Sequence, residues 1–86
     1  MKIDLEKGKP ISLEATYDTW LNFDVSDLDI DWTQVENIYC KYCTLTIHMK
    51  NGDEHEITNY SETETDYKWP VKLKLLDADF NELWEE

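Results

Sequence analysis

The chain has no arginine, only two glycines, two prolines and two cysteines, and no long apolar run. Each shortage excludes a class of function. Nucleic-acid binders meet phosphates with Lys and Arg, and Arg is favoured for bidentate contacts. Here all eight basic residues are Lys, against twenty acidic residues, for a net charge of −12. Direct binding to DNA, RNA or an anionic membrane is therefore not expected. Two glycines leave no phosphate-cradling loop. No stretch nears the ~18 apolar residues of a membrane span. Residues 1–7 hold no apolar signal core, so the reading expects no secretory signal and a cytoplasmic location.

Catalytic and metal motifs are missing too. Ser12, Ser26 and Ser61 lie in no nucleophile-elbow context. Asp27-Leu28-Asp29-Ile30-Asp31 starts like a calcium loop, but Trp32 and Ile38 stand where Gly and Glu are required. Cys40-Lys41-Tyr42-Cys43 has CxxC spacing. A structural zinc site needs four ligands, and only His48 and His55 remain. If residues 40–43 are extended, the two thiols point to opposite faces. Two cysteines also make no disulfide framework and suit a reducing compartment. The expectation is no metal, no cofactor and no enzyme.

What the chain does have is a core. Its 86 residues are 41% hydrophobic and include four Trp, five Tyr and two Phe. That is one domain, residues 1–86, able to bury somewhat over ~60% of its unfolded surface. The clearest element is a hairpin over residues 44–58, turning at Lys50-Asn51-Gly52. A two-residue turn would set Ile47 against Glu56. A three-residue loop with Gly52 at positive φ sets Leu45 against Ile57, Ile47 against His55, Thr46 against Glu56 and His48 against Glu54. A one-residue slip exchanges the faces, so burial selects the second register. The predicted buried face is Leu45, Ile47, Met49 and Ile57, with His48 and His55 on opposite faces.

The remaining elements follow from period. Met1–Leu5 reads as a short strand. Odd positions from Ile11 to Val25 are apolar except Thr19, which favours strand with a break near Asp18 to Trp20. A helix through Leu13, Tyr17, Trp20 and Leu21 also fits. Asp31 is placed to cap a short helix through Trp32, Val35 and Ile38. Residues 38–43 lead as a strand into the hairpin, residues 60–66 form a polar connection, and residues 69–75 read as a strand. Residues 77–81 turn into a last strand over 82–85; Leu76, Phe80, Leu83 and Trp84 fit a C-terminal helix equally well. The fold class is mainly β, with α+β as the variant: a small domain on a twisted antiparallel sheet of about five to six strands, with at most one or two short helices.

The acidic residues are unevenly spread. From Pro10 to Cys40 there are seven, Glu14 to Glu36, and no Lys. Residues 51–67 repeat the pattern with Asp53, Glu54, Glu56, Glu62, Glu64 and Asp66. Asp27, Asp29 and Asp31 share one face if extended, at about 6.6 Å intervals. Such a row can offer negative charge to groups that normally meet phosphates, spaced ~3.4 Å along a strand. Self-repulsion makes this charge costly, so a chain that keeps it has a use for it.

In general character, though by no motif, the chain resembles small acidic inhibitors that imitate nucleic acid, such as those phages direct against restriction, repair or CRISPR enzymes. The resemblance implies a non-enzymatic inhibitor that occupies the basic channel of a nucleic-acid-binding enzyme or effector complex. The expected contact residues are Asp24, Asp27, Asp29, Asp31, Glu62, Glu64 and Asp66, with Trp32 and Tyr60 as exposed aromatic anchors. The alternative is an immunity protein or antitoxin against a basic toxin or nuclease. The third is a small structural or accessory binding subunit.

Overall fold

A computed structural model describes residues 1–17, 20–59 and 69–86. Among them seven strands form: β1 (Ser12–Thr16), β2 (Trp20–Asp24), β3 (Val35–Lys41), β4 (Thr44–Met49), β5 (Glu54–Thr58), β6 (Lys72–Leu76) and β7 (Glu82–Glu85). The fold is mainly β and antiparallel, as the sequence predicts. The strands divide between two sheets, however, in the orders β2-β1-β6-β7 and β3-β4-β5.

Alternation explains the first hairpin. Thr16 pairs with Trp20, an even separation, so the odd positions keep one face on both strands. Leu13, Ala15, Tyr17, Leu21, Phe23 and Val25 are all buried. The expected break near Asp18 falls outside the described residues, but the antiparallel pairing of β1 with β2 overturns the helical alternative. Leu73, Leu75 and Leu83 join this inner face, while Val35, Ile38, Cys40, Leu45, Ile47 and Met49 come from the other sheet to complete one core cluster. Neither sheet could bury its apolar face alone.

The β4–β5 hairpin has the predicted register, Leu45 opposite Ile57 and Ile47 opposite His55. Lys50, Asn51 and Gly52 form the loop, with Gly52 at φ 96°. Met49 N–H donates to the Asp53 carbonyl at 2.8 Å and closes it. The preceding connection differs from expectation. Residues 40–43 are not extended: Lys41 pairs with Thr44, and Tyr42 and Cys43 turn the chain at φ 49° and 64°. Positive φ at both loop residues is what a two-residue hairpin turn requires.

Two other expectations are corrected, and the choice left open at the C-terminus is decided. Residues 1–5 form no strand. Asp4 N–H donates once to the Leu83 carbonyl beside β7, at 2.8 Å, and the Asp4 carboxylate accepts from Glu6 N–H at 3.2 Å, which turns the chain away. Asp31 does cap a helix, but only the 3-10 turn Trp32–Gln34; Val35 and Ile38 belong to β3. The C-terminus is strand. Buried Asp77 accepts from Asp79 N–H at 2.9 Å, Asn81 N–H at 2.8 Å and Asn81 Nδ2 at 3.0 Å, so the turn backbone spends its donors on one carboxylate. Gly8 packs against that carboxylate so closely that a Cβ would overlap it.

The same turn forces Phe80 to φ 63° with its ring 78% exposed. The left-handed conformation costs a non-glycine residue roughly 1–2 kcal/mol, and the ring recovers little by burial. Phe80→Gly should therefore stabilise the protein by roughly 1 kcal/mol after the extra chain entropy of glycine. Urea denaturation checks this, and a lowered midpoint would show that the ring packs usefully.

Candidate acidic interface

The crossover from β2 to β3 carries Asp27, Asp29 and Asp31, flanked by Asp24 at the end of β2 and Glu36 near the start of β3, all exposed. Between them Leu28 and Ile30 are half-buried against the core. This parity holds the carboxylates outward, because each apolar neighbour is drawn inward.

The four aspartates are not equivalent. Asp24 accepts from Ser26 Oγ at 2.5 Å and Ser26 N–H at 2.9 Å. Asp31 accepts from Thr33 Oγ1 at 2.6 Å and Thr33 N–H at 3.0 Å. These bonds favour the charged form and hold both carboxyls below their usual range. Both residues also shape the chain locally. Asp27 and Asp29 hold no hydrogen bond among the described residues.

Compensating charge lies elsewhere. Lys72 pairs with Glu85 at 2.7 Å and Lys74 with Glu82 at 3.0 Å, both on the outer face of the first sheet. His48 meets Glu54 at 3.1 Å across the β4–β5 ladder. Among the described residues no ammonium pairs with the crossover aspartates.

The aromatic expectation for this site needs correction. Trp32 is only 8% exposed and belongs to the core. The alternation that turns Asp27, Asp29 and Asp31 outward turns Trp32 inward. Tyr60, Glu62, Glu64 and Asp66 lie outside the described residues, so the second acidic row is not placed relative to the first. Exposed apolar side chains appear instead at Trp20, Tyr42, Trp69 and Val71. The strand expected over residues 69–75 begins only at Lys72, so Trp69 and Val71, which share the parity of Leu73 and Leu75, lie ahead of β6 and stay exposed.

Cys40 is a buried free thiol within 3.5 Å of the Tyr17 hydroxyl, and Cys43 is half-buried. Among the described residues no group of three or more His, Cys, Asp or Glu side chains is placed to hold a metal ion. No helix among them is long and apolar enough to cross a membrane. Compared with protein-family models, curated proteins and solved structures, the chain matches none.

Proposed function

We propose that the protein is a non-enzymatic inhibitor, acting in the cytoplasm, that presents acidic charge in place of nucleic acid to the basic binding channel of a partner protein. The observation that carries this reading is the β2–β3 crossover, whose outward carboxylates meet no ammonium among the described residues. A net charge of −12 without arginine supports a basic partner. The immunity reading gains from a different feature, the exposed rings of Tyr42 and Trp69, which suit a tightly anchored cognate partner.

The test begins with capture from host lysate at low salt, with and without competing DNA or RNA. A nucleic-acid enzyme displaced by the competitor supports mimicry. A salt-resistant partner that nucleic acid does not displace supports the immunity reading. The double variant Asp27→Lys/Asp29→Lys then tests the surface, because neither residue holds a local turn. Association with the captured partner should slow at least tenfold at low salt, with dissociation little changed. An unaltered on-rate would remove the crossover from the interface.

A further inference from the structure

The turn after β3 and the lead into β6 bring two exposed rings within reach of one cation. Lys41 Nζ lies 5.7 Å from the centroid of Tyr42 and 5.6 Å from that of Trp69. The rings come from separate stretches of chain, the β3–β4 turn and the lead into β6, and each residue is 56% exposed. Trp69, though neither Tyr42 nor Lys41, also lines a cavity of about 400 Å³ together with Tyr39, Pro70, Val71 and Glu86.

Both distances are within the ~6 Å reach of a cation–π contact. The site therefore already selects for positive charge, and the resident cation shows where a ligand's charge would sit. Lysine is the weaker occupant of such a place. Its ammonium is compact and strongly hydrated, whereas a guanidinium is planar, less hydrated and stacks on aromatic faces. This chain has no arginine to place there. A second copy has none either, and would bring its own −12 charge against the first. The occupant is then a different, basic chain.

We propose that the exposed ring of Trp69, with the Tyr42 ring on the same cation, binds an arginine side chain of a basic partner, whose guanidinium displaces Lys41. The aliphatic stem lies along Pro70 and Val71, which are apolar and accessible, as long cationic side chains do on apolar surface. Glu86, on the same cavity, supplies a carboxylate. Lys41 moves into solvent at little cost, since its ammonium is exposed already. This inference rests on the proposed reading only in taking the partner to be basic.

The experiment needs no partner. The probes are two blocked tripeptides, acetyl-Gly-Arg-Gly-amide and acetyl-Gly-Lys-Gly-amide, titrated into the whole chain. The readout is the Trp69 indole N–H in a nitrogen–proton correlation spectrum, assigned with Trp69→Phe. The arginine peptide should shift that signal saturably and bind about two- to fivefold more tightly than the lysine peptide. Lys41→Ala should tighten arginine binding by a similar factor. Trp69→Ala should abolish the arginine-induced shifts of the neighbouring Val71 and Lys72 backbone amides while the remaining amide spectrum keeps its dispersion. Equal binding of the two peptides, or no gain in Lys41→Ala, would overturn the inference. So would shifts confined to residues 24–31, which would mark unspecific cation attraction. Asp27→Lys/Asp29→Lys should leave the Trp69 response in place, so failure of the arginine site and failure of nucleic-acid mimicry remain separate results.

Discussion

Phe23→Ala should cost about 3–5 kcal/mol, the range for truncating a buried phenylalanine. Phe23 is 1% exposed and heads the fully buried side chains by volume. It lies on β2, pairs with Leu13 on β1, and faces a core to which both sheets contribute. An edge strand relaxes more readily than a central one, which would reduce the loss. Here the edge is held: Val25 N–H donates to the Ile11 carbonyl at 2.9 Å, and Asn59 Nδ2 donates to the Asn22 carbonyl at 2.8 Å. The cavity cannot close by moving β2 inward without breaking these. A chain of this size has only about 4–13 kcal/mol of stability. The variant should therefore populate unfolded chain well below the parent's melting temperature. Urea denaturation followed by tryptophan fluorescence measures the loss. A loss under about 1 kcal/mol would mean that the two sheets do not share a core. Phe23→Leu, which keeps most of the volume, should cost distinctly less.

The parts of this fold that were legible in the sequence are those where burial decides between discrete alternatives. The β4–β5 register is one: only the three-residue loop puts Leu45 beside Ile57 and keeps Glu56 outside. The β1–β2 pair is another, since one parity is apolar along both strands and the pairing keeps it on one face. The division into two sheets was not legible, because crossovers leave no local pattern. Nor was the C-terminal strand. Leu76, Phe80, Leu83 and Trp84 fit both periods, and the carboxylate of Asp77 decides the matter through contacts up to four residues away.

The acidity is also partly misread when every carboxylate is taken as surface charge. Asp4, Asp24, Asp31, Asn51 and Asp77 each accept the backbone N–H of the residue two positions on. A chain with two glycines and two prolines must turn by other means, and Asp and Asn side chains offer that bond. Several of the acids are therefore turn formers first. That narrows the candidate interface to Asp27 and Asp29, which do no such work. The burial of Trp32, by contrast, was open to inference, because Leu28, Ile30 and Trp32 share the parity opposite to the aspartates.

The protein should lose stability in alkali in two stages, beginning near pH 8.5 and steepening near pH 10. Burial raises the thiol of Cys40 above its ordinary range, a shift the Tyr17 hydrogen bond partly offsets. Burial and the contact with Cys40 raise the phenol of Tyr17. Both groups thus stay protonated in the folded state at pH values where the unfolded chain ionises. Their contribution is fully present below the unfolded values and is lost as pH climbs toward the folded ones, by at most about tenfold in the folding constant per pH unit for each group. The acid limb has the opposite sign and a smaller slope. Asp77 and Glu85 are held low by hydrogen bonds, from Asn81 foremost in the first case and from Lys72 in the second, so their contribution disappears as pH falls below about 4. Protonation relieves the self-repulsion of a chain at −12 over the same interval. Urea midpoints between pH 7 and 11, in reductant, test the alkaline limb. Cys40→Ala should remove the first bend and Tyr17→Phe the second, each leaving the other in place. If Cys40→Ala retained the first bend, that thiol would be ionising in the folded protein as freely as in the unfolded one. Water would then have to reach a side chain that the packing of Tyr17 and the β3–β4 turn leaves with no exposed surface.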